Sequence, residues 1–299
     1  VVREAAPPRE VTPVRRAAPV GAEARRPRVS PAARREAERL GLDLASITGT
    51  GPMSSITLAD IDRAAAETAA AVPTVTKDKT REMRRAIAAS MSRSKREIPH
   101  YYLTEQIPLQ AAGAWLEREN AGRSITERVL MAAVQLKAVA VAATRFPDLN
   151  GFWQDGEFRP QSSVHIGVAI SLRQGGLVAP AIHDTAEKPL VQLMKELTDL
   201  VARVRAGSMR SSEMSDPTLT VTNLGDRSVD AVYGVIYPPQ VALVGFGKPA
   251  ERPWVVDGEV RALPVVTGTL AADHRASDGH RGALFLAAIN NIMQHPEEL

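Results

Sequence analysis

The chain has 299 residues, 44% hydrophobic and 24% charged, and no cysteine, which excludes disulfides, cysteine nucleophiles and thiolate metal sites. Its formal charge is +3, but residues 1–28 hold seven arginines against three glutamates, a net +4, so the remainder carries −1. No concentrated basic patch is left for nucleic acid, and no apolar run is long enough to cross a membrane as a helix.

Residues 1–26 are rich in Ala, Pro and Arg and have neither a helical nor a strand period, so a flexible linker is expected there. They begin without a methionine or a signal-peptide pattern and read as the middle of a linker, so a preceding domain is expected. Residues 27–66 are predicted to form a small helical domain. Ser30-Pro31 opens a helix over 32–40, and Gly41 ends it. After the loop Gly49-Thr50-Gly51-Pro52, a second helix starts within Ile56–Ile61, with Thr57 and Asp60 at capping-box spacing. A unit of about 40 residues is at the limit of independent stability, so docking is expected of it rather than catalysis. A second linker is expected over 67–79.

Residues 80–299 are predicted to form one mixed α/β domain. Met83, Ile87 and Met91 mark one face of a basic helix that Pro99 ends. Ser124-Ile125-Thr126-Glu127 reads as a capping box for an apolar helix over 129–143. Asp155-Gly156 and Asp257-Gly258 read as hairpin turns. The alternation of Val164, Ile166, Val168, Ile170 and Leu172 predicts one half-buried strand. Leu190, Leu193, Leu197, Leu200 and Val204 stripe a helix that closes near Gly207. Further strands are expected over 219–222, 241–245 and 265–271, and a last helix after Gly279.

Gly245-Phe246-Gly247 fits a dinucleotide fingerprint only loosely, because Pro249 and Pro253 follow where a helix would have to start. No metal site is expected. Of the six histidines, His100, His165, His183, His280 and His295 read as structural or solvated. His274 differs: it stands at a strand end leading into a tight turn and a helix, a place where folds present catalytic groups. An imidazole can take up a proton at neutral pH, and Asp278, four residues on, can fix the loop or orient the ring.

His274-Arg275-Ala276-Ser277-Asp278-Gly279 resembles the His-Arg-x-x-x-Gly motif of the dihydrolipoamide acyltransferases, the cores of 2-oxo acid dehydrogenase complexes. Other segments agree with that family in order and spacing. They are Arg84 to Ala88 through Ile98-Pro99-His100-Tyr101-Tyr102, Pro147 to Asn150, Ile166 to Ala169, Gly176 to Pro180, Leu219 to Gly225 and Pro238-Pro239-Gln240. Residues 29–61 resemble the family's peripheral subunit-binding domain. The resemblance implies a coenzyme-A-dependent acyltransferase α/β fold, chloramphenicol-acetyltransferase-like, preceded by that small helical domain. It implies transfer of an acyl group, acetyl before branched-chain or succinyl, between dihydrolipoamide and coenzyme A. The lipoyl group would ride on a lipoyl domain outside this chain.

By the same resemblance His274 is the general base and Thr222 the oxyanion donor. Asn223 touches substrate, and Asp278 holds the His274 loop through an arginine, for which Arg84 is the candidate. Arg34 is a partner-contact residue, while Glu38 and Ser55 stand where relatives carry arginine. A homotrimer with sites between subunits is implied, or a cage of such trimers. A thiamine-dependent 2-oxo acid decarboxylase and dihydrolipoyl dehydrogenase would dock on 27–66. Thirty arginines against seven lysines suggest a GC-rich bacterial genome and a cytoplasmic protein. The alternatives are a catalytically idle docking scaffold and an antibiotic acetyltransferase of the same fold.

Overall fold

The computed structural model describes residues 28–70, 74–172, 175–225 and 229–299, so the linker expected over 1–26 lies outside the described residues. The chain divides into two compact units, Val1–Thr74 and Val75–Leu299. In the smaller, helix α1 (Pro31–Leu40) is capped by Ser30, whose Oγ accepts the Ala33 N–H at 3.2 Å, and closes on Gly41 at φ 66°. Helix α2 (Leu58–Ala70) follows the glycine loop. Ala33, Ala37, Ile56 and Ile61 form the core, with Val29, Leu42, Leu44 and Ile47 around it.

With so few apolar residues, a buried carboxylate finishes the job. Asp60 accepts hydrogen bonds from the N–H and hydroxyl groups of both Thr50 and Thr57, and from Arg63. These donors hold its carboxyl well below the usual carboxylate range. The capping box is therefore half of what the spacing predicts: Thr57 donates its hydroxyl to Asp60 instead of accepting the Asp60 N–H.

The linker expected over 67–79 contains the boundary between the two units and is partly helical. Helix α2 runs through Ala70, and α3 (Thr74–Glu97) begins four residues later. The stretch 64–70 is mostly alanine, and 74–97 contains neither proline nor glycine, so helix propensity carries both helices into it.

The large unit adds β1 (His100–Pro108), α4 (Gln110–Asn120), α5 (Met131–Arg145), β2 (Gly151–Gln154), β3 (Glu157–Pro160), β4 (Ile166–Val168), β5 (Ile170–Ser171), β6 (Leu177–Val178) and β7 (Ala181–Ile182). It continues with α6 (Leu190–Ala206), α7 (Ser211–Ser215), β8 (Leu219–Asn223), β9 (Ala242–Phe246), β10 (Ala250–Val256), β11 (Glu259–Asp273) and α8 (Gly279–Gln294). The main sheet has the order β1-β11-β9-β8-β4-β7, with β10 also on β11. Its pairs are antiparallel except β4–β8 and β8–β9. β8 lies inside the sheet and is buried from Leu219 to Thr222. Helices α5, α6 and α8 share one apolar core with these strands, and the alanines of α5 allow close packing.

Segment 229–236 runs antiparallel along β9, packed closely on it. A Cβ on Gly245 would lie 2.5 Å from Val232 O, and one on Gly247 would lie 2.0 Å from Asp230 O, so only glycine admits this close approach.

Two expectations change. The run 164–172 is not one strand: β4 stays on β8 through the bond from Ala169 N–H to Val221 O, and Ile170–Ser171 then pairs with β6 in a separate sheet. The box at 124–127 closes a single 3₁₀ turn, Ser124 Oγ donating to Glu127 Oε2, and α5 starts at Met131 because Leu130 is extended. Asp155-Gly156 and Asp257-Gly258 are hairpin turns with positive φ at both residues.

Candidate active site

His274 follows the last residue of β11. Its N–H donates to Pro99 O at 3.0 Å, the Asp273 N–H donates to Val241 O, and Asp273 O accepts the N–H groups of Ala276 and Ser277. The backbone of the turn is thus held from three sides, while the His274 side chain is exposed. Its ring nitrogens have no hydrogen-bond partner among the described residues. The ring meets Tyr101 edge-to-face, with centroids 5.3 Å apart. His100 is the opposite case. Its Nδ1 donates to Ile98 O while its Nε2 accepts the Ile236 N–H, and burial lowers its pKa, so it is a neutral structural ring.

Thr222 lies near the end of β8, 9% exposed, opposite Gly245 of β9 and on the strand face away from Val221. Asn223, expected to touch substrate, is exposed at the end of β8 and lines a cavity; its Oδ1 accepts the Gly225 N–H at 2.8 Å and its Nδ2 donates to Gln135 Oε1. His274 and Thr222 do not come together in one chain. The His274 turn sits beside Val241 and Thr222 beside Gly245, four residues along β9 and a further strand across. At about 3.3 Å per residue they are more than roughly 13 Å apart, several times hydrogen-bond reach.

Asp278 does not pair with Arg84. It is the N-cap of α8, its Oδ1 accepting the Arg281 N–H at 2.9 Å, and this bond, with a second from the His280 N–H, lowers its pKa. The start of the helix takes the carboxylate that an arginine would have taken. The Arg84 guanidinium packs instead over Gly175, where a Cβ would lie 2.9 Å from Nη2. In the small unit Arg34 is exposed on α1, with Glu38 one turn on, and has no ion pair among the described residues.

Sequence reasoning missed three supports of the turn. Asp273 is fully buried and forked by Arg275, Nε to Oδ1 at 2.9 Å and Nη2 to Oδ2 at 2.6 Å, with the guanidinium 4.5 Å above the Trp153 ring. Tyr101 Oη and Ser277 Oγ are hydrogen-bonded at 2.9 Å. Arg281 forks Asp148 and lies over Phe146. The Asp-x-Arg spacing at 273–275 was the available signal for the first; the other two join residues too distant in the chain to leave one. A cavity of about 790 Å³ opens beside the Arg275 fork, walled by Arg93, Trp153 and Gln240. Among the described residues no group of three His, Asp or Glu is placed to hold a metal ion, and no helix is long and apolar enough to cross a membrane.

Comparison with known proteins agrees with this architecture. Residues 73–299 match the family model for the 2-oxoacid dehydrogenases acyltransferase catalytic domain, and residues 27–62 match that of the e3 binding domain. The chain belongs to the 2-oxo acid dehydrogenase acyltransferases. It is 30% identical over 90% of its length to the dihydrolipoyllysine-residue acetyltransferase component of the pyruvate dehydrogenase complex of Zymomonas mobilis, and equally to the mitochondrial one of Caenorhabditis elegans. It spans 65% and 56% of the lengths of those relatives. Among solved structures, a dihydrolipoamide acetyltransferase of Azotobacter vinelandii superposes with a TM-score of 0.68 at 24% identity, covering 73% of this chain and 90% of that one. The acyltransferase fold expected from the motifs is thus the fold of this family member.

Proposed function

We propose that the protein transfers acetyl groups between dihydrolipoamide and coenzyme A within a 2-oxo acid dehydrogenase complex, His274 being the general base. A ring nitrogen of His274 takes the proton of the coenzyme A thiol, and the thiolate attacks the thioester carbonyl of acetyl-dihydrolipoamide. The tetrahedral oxyanion accepts a hydrogen bond from the Thr222 hydroxyl. Its collapse expels the dihydrolipoyl thiolate, which recovers the proton from His274. No acyl-enzyme forms, in keeping with a chain without cysteine.

The observation that carries this reading is the His274 turn: its backbone is held from three sides and its imidazole is exposed, with no hydrogen-bond partner on either nitrogen among the described residues. The separation of His274 from Thr222 supports a site shared by neighbouring subunits of a homotrimer. Asp278 acts as the cap that starts α8 under the turn. Residues 80–299 then carry catalysis. Residues 27–66 dock the decarboxylase or dihydrolipoyl dehydrogenase through Arg34, the lipoyl domain lies outside this chain, and the complex works in a bacterial cytoplasm. Acetyl is the group named for the Zymomonas and Caenorhabditis relatives.

The test is acetyl transfer from acetyl-coenzyme A to free dihydrolipoamide by the wild type and by His274→Ala. Loss of about 10²- to 10⁴-fold in kcat is expected for a general base. Turnover above about a tenth of wild type, on that same scale, rules the role out.

A further inference from the structure

We propose that Tyr101, locked by Ser277, is the positioning residue that sets the His274 imidazole for proton transfer. The inference rests on the reading of His274 as base. The motif's own carboxylate is not available for this task, because Asp278 is turned to the backbone of α8. Among the described residues no other ring stacks on the imidazole and no group is hydrogen-bonded to it; the Tyr101 ring meets it at 5.3 Å and 70°. An edge-to-face pair of this kind holds both rings in a preferred mutual orientation.

Tyr101 is itself well held. It lies on β1 opposite Ala272 of β11, two residues before His274. Its ring occupies room left by Gly282 on α8, where a Cβ would come within 2.9 Å of Tyr101 Cε2 and Oη. Its hydroxyl bonds to Ser277 Oγ, in the same turn as His274. Burial raises the phenol's pKa, so it stays neutral and this bond persists through the working pH range. Strand, helix and turn therefore converge on one ring, which meets the base edge-to-face. A base misplaced by about 1 Å can lose on the order of 10²-fold in rate, so fixing the ring has a measurable consequence.

The experiment measures kcat and the KM for coenzyme A in the intact assembly for Tyr101→Leu, Tyr101→Phe, Ser277→Ala and the Phe/Ala double variant, with melting curves alongside. Tyr101→Leu should lower kcat on the order of 10²-fold while KM stays within about twofold, because the group acts on the base and not on the ligand. Tyr101→Phe keeps the ring and should lose only about 3- to 10-fold, the worth of one net hydrogen bond. Ser277→Ala should lose as much, and the double variant no more than either, since all three break the same bond. A Tyr101→Leu enzyme within twofold of the wild-type kcat, or one whose loss lies in KM, overturns the proposal. So do Phe and Ala variants whose losses multiply. His274→Ala separates the two readings: if it is inactive while Tyr101→Leu works, only the positioning role falls; if it is active, both fall.

Discussion

Replacing Arg275 by methionine tests whether the buried fork holds the strand end that carries His274. Methionine keeps a flexible apolar stem against Trp153 and deletes the guanidinium, leaving the fully buried Asp273 carboxylate with only the Arg275 N–H. Removing one partner of a buried ion pair costs about 3–5 kcal/mol. Arg275 is 29% exposed, so water partly screens the pair and the lower end applies, about 3 kcal/mol. For a domain of this size each kcal/mol moves the midpoint by roughly 2–4 °C, so melting should fall by about 6–12 °C. Adding Asp273→Asn removes the stranded charge while its amide oxygen still accepts the Arg275 N–H, so the double variant should melt above Arg275→Met. Circular dichroism melts of the assembled protein measure both. An Arg275→Met protein that melts within about 2 °C of wild type, below the scale just worked, refutes the clamp.

Thr222→Val keeps the shape and removes the hydroxyl, so kcat should fall by roughly 10²–10³ with coenzyme A affinity unchanged in a binding titration. Ser54 sits at φ 58°, where a side chain costs about 1 kcal/mol; Ser54→Gly should stabilise the small unit by a similar amount in a denaturant titration. Asp60 has a depressed folded-state pKa, so its stabilisation is complete above the unfolded value near 4 and is lost as pH falls below it; chemical denaturation between pH 7 and pH 2 should show an acid loss that Asp60→Asn lacks. Glu38→Arg places a second cation one turn from Arg34 and should tighten docking of an acidic partner more at low salt than at high salt, read by titration at two salt concentrations.

Much of the fold was legible because local chemistry and tertiary demand agree. The leucine stripe of α6 ends at Gly207, φ 74°, as its spacing predicts, and the two Asp-Gly pairs form the turns they encode. The errors fall where a neighbour outbids the local pattern. The alternating strand is divided where Ile170–Ser171 leaves β8 to pair with β6. Asp278 caps the N-terminus of α8 instead of pairing with Arg84 in the same chain. Within the candidate site, His274 was legible from its strand-end position, whereas Tyr101, 173 positions earlier in the chain, meets it only through the β1–β11 register. The bond from Asn223 to Gln135 was not legible, because Gln135 lies on α5, far away in sequence.

The central claim is that His274 of one subunit works with Thr222 of its neighbour, and subunit mixing tests it most directly. His274→Ala and Thr222→Val chains, each near-inactive alone, are unfolded together in equal amounts, reassembled and assayed for acetyl transfer. If the site spans two subunits of a closed ring, roughly a quarter of the sites regain one intact histidine and one intact threonine, and activity should return to about that fraction of wild type. If both residues served the same chain, every site would lack one of them, and a mixture no more active than its two components would contradict the account.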